Sequence, residues 1–197
     1  MVFDFPAPML AAIHLAYRTP PRAYHSWSHV EDVEHWYQEV ARGPGWKKPR
    51  ETFIAILFHD AIYVAGRQDN EERSAQLAVE QVERHLAGQP LDTARISALI
   101  RLTARHGALS PADVDPEAAL FLDCDMAILG AAPEVFDRYG AAIREEYASV
   151  PSVLYSLGRR RFLTRVLEAP RIFLSDYFHA RLDAAARVNL ARALDAS

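Results

Sequence analysis

The amino-acid sequence predicts an all-α protein. Apolar residues recur at spacings of three and four along most of the chain, which is the period of an amphipathic helix. Alternating apolar and polar runs of the kind that form strands are absent from the sequence, and so are Asn-Gly hairpin turns. Proline and glycine fall between the helical segments, and no long linker separates them. We therefore expect one domain over residues 1–197, a bundle of roughly eight or nine helices.

Boundary residues place these helices in order along the chain. One helix is expected near the N-terminus, and Ser28 with Glu31 matches a capping box at the start of the second. Pro49 suits the first position of the apolar helix that follows. Later helices are expected to start at Asp69 with a second capping box to Glu72, at Asp92 or Thr93, at Asp115-Pro116 and at Pro133. Two last helices fit residues 151–167 and 176–195.

Composition and charge restrict the class of protein. The chain carries 22 basic and 26 acidic residues, a formal net charge of −4, which argues against nucleic acid as its main partner. Cys124 is the only cysteine, so an internal disulfide and a thiolate zinc site are excluded. Apolar stretches such as residues 53–58 are far shorter than the ~20 residues of a membrane-spanning helix. With no secretory pattern at the N-terminus, we expect a cytoplasmic protein without membrane contact.

Four ionisable residues lie on otherwise apolar helices. His59 and Asp60 end FIAILFHDAIY, and Asp123 and Asp125 lie within ALFLDCDMAILG, with apolar residues three and four positions away. A lone carboxylate facing a core costs several kcal/mol unless it is paired or binds a metal. A salt bridge to arginine is the alternative for any one of them. Four such groups on two helices favour a shared ligand.

Histidines near the second helix offer further metal ligands. The segment RAYHSWSHVEDV carries His25 before the expected cap and His29 after it. Imidazole nitrogens combined with carboxylate oxygens suit Mn, Fe, Co, Ni or Zn, and Mg is a further candidate. A site of this kind with open positions would polarise a phosphoryl oxygen and lower the pKa of a bound water.

The ordered motifs of the chain resemble the HD-domain superfamily of metal-dependent phosphohydrolases. The motifs are RAYHSWSHVEDV, LFHDAIY, DNEERSA, LTARHG and FLDCDMAILG, over about residues 20–150, and the tail ARVNLARAL is similar too. The set is most similar to a bacterial subgroup of predicted HD hydrolases whose substrates are undefined. The resemblance implies an HD-type domain whose C-terminal helices pack on the motif core.

The resemblance also implies a ligand set. The metal ligands would be His29, His59, Asp60 and one of two late aspartates. Asp123 and Asp125 lie ~200° apart around a helix, so both cannot face one ion. The last aspartate of the family usually follows a small residue and precedes an aliphatic one, which favours Asp125. Asp123 is then expected to form a salt bridge or to orient a ligand, and whether one ion or two are bound stays open.

Other residues are candidates for contact with substrate. His106 precedes Gly107, and it is expected either to interact with helix C-terminal carbonyls or to contact a phosphate or a second metal. Arg22 and His25 precede the ligand helix, where an arginine fork suits a phosphate, although Arg22 could also be a surface residue. Glu71 is the candidate for orienting a water, because Glu72 is expected to serve the capping box.

The function that the resemblance implies is hydrolysis of a phosphoester or phosphoanhydride bond. The substrate is expected to be a small phosphorylated compound, a nucleotide first of all, attacked by a metal-activated water with Asp60, Glu71 and His106 as catalytic residues. Two alternatives stay open: a di-iron oxygenase on the same scaffold, and a nucleotide-sensing module with an idle metal site. A monomer and a homodimer are equally compatible with the sequence.

Overall fold

The computed structural model describes residues 3–18, 20 and 22–196, and within these residues it contains helices and no strand. The prediction of an all-α chain is confirmed. The nine α-helices of the described residues are Ala7–Ala16 (α1), Trp27–Arg42 (α2), Pro49–Phe58 (α3), Asn70–His85 (α4), Thr93–Thr103 (α5), Pro116–Met126 (α6), Pro133–Glu146 (α7), Ser152–Glu168 (α8) and Asp176–Asp195 (α9). Short 3-10 helices cover Pro111–Asp113 and Ala127–Gly130.

The chain divides into two compact units, with the boundary after Ala104. The first unit contains α1 to α5, and the second contains α6 to α9. The single domain expected over residues 1–197 stays a prediction. None of the helices in the described residues combines the length and hydropathy that a bilayer crossing requires.

Helix α3 is the centre of the first unit. Its last seven residues, Thr52 to Phe58, are all buried. A helix that is buried on every side lies in a core, and α3 packs against α2, α4 and α5. Because α3 ends at Phe58, the next two residues, His59 and Asp60, follow directly from its C-terminal end, and both are buried.

Helix α9 organises the second unit. It packs against α6, α8 and the 3-10 helix Ala127–Gly130. The Asn189 side chain donates to the carbonyls of Leu129 and Ala131, each at 2.9 Å. Gly130 permits this close approach, because a Cβ at that position would lie 2.6 Å from the Cβ of Leu182.

Proline and aspartate mark several helix starts as predicted. Helices α3, α6 and α7 begin at Pro49, Pro116 and Pro133. The Asp92 carboxylate caps α5, and the Asp115 carboxylate caps α6 by accepting two backbone N–H groups. These starts could be predicted because proline and a capping aspartate act within one turn of chain.

Both predicted capping boxes are wrong. Helix α2 begins at Trp27 after Ser26, and the Ser28 hydroxyl pairs with that of Ser26 at 2.9 Å. Asp69 does precede α4, but its carboxylate binds the Arg67 guanidinium at 2.7 Å and caps no helical N–H group. The Arg67 guanidinium therefore binds the Asp69 carboxylate, which the capping-box motif had predicted to bind a helical N–H group.

Candidate metal centre

The turn after α3 carries His59 and Asp60, and both side chains are buried. His59 is 1% exposed and Asp60 is 8% exposed. The Nδ1 atom of His59 donates to the carbonyl of Ile56 at 2.7 Å. Because a carbonyl can only accept, Nδ1 carries a proton, and in the neutral ring the lone pair is on Nε2. His59 is therefore oriented as a metal-ligating histidine is, with its outer nitrogen anchored to backbone.

Three ligand atoms converge beside this turn. His29, a buried residue of α2, places its Nε2 atom 3.1 Å from the Nε2 atom of His59. The Oδ2 atom of Asp60 lies 3.2 Å from His59 Nε2 and 3.7 Å from His29 Nε2. His29, His59 and Asp60, which the resemblance to HD domains implies as metal ligands, thus lie together.

These atoms fit a divalent cation. Ligands bound at 2.0–2.2 Å in tetrahedral or octahedral geometry lie about 3.0–3.5 Å from one another. The separations of 3.1 and 3.2 Å from His59 Nε2 fall in that range, and the third separation is slightly longer at 3.7 Å. Two imidazoles with a carboxylate suit first-row transition metals. His29 and His59 also belong to a group of side chains that could hold a metal ion.

His25 lies at the edge of this cluster. Its Nε2 atom is 3.9 Å from Asp60 Oδ2, and its ring stacks on Tyr63 with centroids 3.8 Å apart. Tyr24 packs against His29 with ring centroids 4.8 Å apart. The aromatic neighbours hold both imidazoles in place, and the predicted contact of His25 with substrate stays a prediction.

The geometry does not favour Arg22 as a phosphate ligand. The four N–H groups on its terminal nitrogens donate to backbone carbonyls at 2.6–3.0 Å, those of Ala16, His25, Asp60 and Ala61. A phosphate would have to displace these bonds. Arg22 instead ties the loop before α2 to the turn that carries Asp60, and its predicted contact with substrate stays a prediction.

Asn70 and Ser74 hold the segment after Asp60, and sequence reasoning missed both. The Ser74 hydroxyl accepts the Ile62 N–H at 2.9 Å. The Asn70 amide accepts the Val64 N–H at 3.0 Å and donates to the Val64 carbonyl at 3.1 Å. Both residues belong to the motif DNEERSA, and their spacing of four places them on one face of α4. Their spacing of four is the sequence feature that could have indicated that both residues hold the segment after Asp60.

The neighbouring acidic residues of α4 have different surroundings. Glu72 forms an ion pair with Arg101 of α5 and accepts a hydrogen bond from Gln76. These two contacts lower the pKa of Glu72 to about 2. Glu71 is half-buried in the first turn of α4, and its predicted role in orienting a water stays a prediction.

In the second unit, His106 and Asp125 form a pair. The Nε2 atom of His106 donates to Asp125 Oδ2 at 2.7 Å, and both side chains are partly buried. Helix α5 ends at Thr103, so His106 lies in the turn beyond it. The bond to Asp125 accounts for Nε2 of His106, and both predicted roles of this residue stay predictions.

Asp123 has a structural partner that the sequence did not reveal. Its side chain is 1% exposed and accepts bonds from the Leu174 N–H, the Ser175 N–H and the Ser175 hydroxyl at 2.6–2.8 Å. Burial raises the pKa of Asp123 to about 6, although these hydrogen bonds oppose the rise. The predicted salt bridge is wrong, since Asp123 anchors the N-terminus of α9.

Comparisons of this chain with protein-family models, curated proteins and solved structures found no match.

Proposed function

We propose that this protein is a metal-dependent phosphohydrolase of the HD type that acts on a small phosphorylated compound, with nucleotides as the expected class. The observation that carries the proposal is the convergence of the buried side chains of His29, His59 and Asp60. Two imidazoles and a carboxylate buried at this spacing are costly to keep together unless a cation compensates them.

Under this proposal, Asp125 supplies a further carboxylate ligand, as the order of the motifs implies. The hydrogen bond from His106 then fixes the orientation of the Asp125 carboxylate, since groups that hold a ligand carboxylate tune the bound metal. His106 is accordingly a positioning residue of the proposed site. A divalent ion would supply polarisation of a phosphoryl oxygen and an acidified water.

The chain itself contributes orientation and exclusion of water. The bond from His59 to the Ile56 carbonyl keeps the lone pair of Nε2 directed at the cluster. The buried residues of α3 shield the same side from solvent, which strengthens electrostatic interactions within the site. Under the proposal, His25, which lies at the edge of the cluster and stacks on Tyr63, contacts the incoming phosphate.

The test combines metal analysis with a substrate panel. The chain is stripped with a chelator, reconstituted separately with Mn, Co, Ni, Fe, Zn or Mg, and assayed for phosphate release from nucleoside mono-, di- and triphosphates. We expect release with at least one ion, and a loss of at least ~100-fold in His29→Asn. His35→Asn is the matched control, because His35 is exposed on the same helix α2.

Three results would contradict the proposal. The first is nucleotide binding without release of phosphate under every metal tested, which would indicate a sensing module. The second is turnover that requires oxygen and iron, which would indicate oxygenase chemistry on these ligands. Equal activity of His29→Asn and His35→Asn would remove the metal centre from the mechanism.

A further inference from the structure

The second unit contains a groove that the proposed metal chemistry does not use. Its volume is about 650 Å³, and it lies between α8 and the segment Gly107 to Asp113. Three arginines of α8 line it, Arg160, Arg161 and Arg165. We call this cavity the α8 groove.

The α8 groove is lined by a single stripe of its helix. Its α8 residues, at positions 157, 160, 161, 164, 165 and 168, follow one another at helical spacing. Leu157, 49% exposed, lies at the N-terminal end of the stripe, and Glu168 lies at the other end. The guanidinium groups fall between them, so the groove has an apolar end and a cationic centre.

The positive charge of this stripe is poorly compensated. Within the described part of the second unit, no ion pair joins the three arginines to Asp113 or Glu168, the two acidic residues of the lining. The Asp113 carboxylate is instead committed to the hydroxyl and N–H of Ser110 within its own turn.

The hydrogen bonds that these arginines do make are long. Arg160 reaches the Leu194 carbonyl at 3.4 Å, and Arg165 reaches the His106 carbonyl at 3.3 Å. Bonds of this length are weak, so an anion could replace them at small cost. Arg161 is exposed at the groove.

We propose that the α8 groove binds a phosphorylated small molecule through Arg160, Arg161 and Arg165. Guanidinium forks match the geometry of phosphate oxygens, and these bonds are among the strongest in proteins. From residue 160 to residue 165 the helix rises ~7.5 Å, so the stripe can contact more than one phosphate group. The volume of the groove also falls within the ~300–1,000 Å³ that is typical of small-molecule sites. Leu157 offers an apolar contact to the organic part of the phosphorylated ligand.

The test is a titration of the full chain with inorganic tripolyphosphate, followed by calorimetry. We expect saturable binding, weakened at least ~10-fold in the double variant Arg160→Gln/Arg161→Gln, since each lost charge-assisted bond costs about that factor. Arg138→Gln is the matched control, because Arg138 is exposed on α7 and does not line the groove. The melting temperature of each variant shows that the fold is kept.

A separate arm distinguishes the α8 groove from the metal centre. His29→Asn should keep the arginine-dependent binding of tripolyphosphate, because the groove is built from the second unit alone. The proposal is overturned if the wild-type chain does not bind tripolyphosphate at millimolar concentration, or if Arg138→Gln weakens binding as much as the double variant. Binding of anionic lipid vesicles or an oligonucleotide through these arginines, without tripolyphosphate binding, would overturn it as well.

Discussion

The Nε2 atoms of His29 and His59 lie 3.1 Å apart, and both side chains are buried. Because the Nδ1 proton of His59 is held by the Ile56 carbonyl, a second proton on that ring would give it a full charge next to another imidazole. Under the proposed function, a divalent cation would take the lone pairs of both Nε2 atoms and would attract the Asp60 carboxylate, which lies 3.2 Å from His59. The predictions below follow from these contacts.

Removal of the metal should lower thermal stability. An ion that binds only the folded chain stabilises it by about 2.7 kcal/mol at a free concentration of 100 Kd. For a chain of this size that corresponds to a fall in Tm of roughly 5–10 °C on chelation. Calorimetry before and after chelation, with readdition of the ion as control, provides the measurement. An unchanged Tm after verified removal of metal would contradict a metal held by folded ligands.

The two late aspartates should differ in their effect on metal content. Asp125→Asn removes a proposed ligand and should sharply reduce both bound metal and activity. Asp123→Asn should keep the metal and instead lower stability by about 1–3 kcal/mol, because the Asn amide cannot accept all the bonds from residues 174 and 175. Metal loss in Asp123→Asn with full occupancy in Asp125→Asn would reverse the assignment.

Arg22 should act on stability rather than on substrate affinity. Arg22→Lys keeps the charge but cannot hold four carbonyls, so we expect a loss of about 1–3 kcal/mol in the free energy of unfolding. Arg18→Lys, on an exposed residue of the same segment, is the control. A raised KM for substrate without a change in stability would restore the phosphate-binding role predicted from the sequence.

Asp183 should stabilise the second unit in a pH-dependent way. It is buried, and it accepts bonds from the Ile172 N–H at 2.8 Å and from Arg187 at 2.7 Å. Burial alone would raise its pKa, but these bonds outweigh burial and lower the pKa below its ordinary value of 3.8. Its contribution is therefore fully present above about pH 4 and is lost as the pH falls through the lowered pKa.

The measurement for Asp183 is unfolding by denaturant at several pH values. Asp183→Asn should lower the free energy of unfolding by about 1–3 kcal/mol at pH 7 and by less at pH 3. Asp176→Asn is the matched control, because Asp176 is 97% exposed although it pairs with Arg171. A deficit in Asp183→Asn that is the same at pH 3 and pH 7 would contradict a role for its charge.

Much of the fold could be predicted because it depends on local sequence. The apolar period of three and four is a property of each helix alone, and Pro49 and Asp115 act within a single turn. The burial of His59 and Asp60 could be anticipated in the same way, because their helical neighbours are apolar.

The remaining contacts could not be predicted because they join distant parts of the chain. Asp123 is held by groups 51 and 52 residues further along, and Arg22 reaches carbonyls 38 and 39 residues away. No local pattern encodes such partners. The failed capping box at Asp69 has a different cause, since the nearby Arg67 competed for its carboxylate.

The most direct test of the metal centre is elemental analysis of the purified chain and of Asp60→Asn after reconstitution and dialysis. The substitution keeps the shape of the side chain and removes the charged oxygen that lies 3.2 Å from His59 Nε2. The wild-type chain should retain at least about one divalent ion per chain, and Asp60→Asn should retain less than about a tenth of that amount. Asp69→Asn, at an exposed carboxylate paired with Arg67, should retain the wild-type amount. A wild-type chain that holds no metal, or an Asp60→Asn chain that holds as much as wild type, would contradict the metal centre.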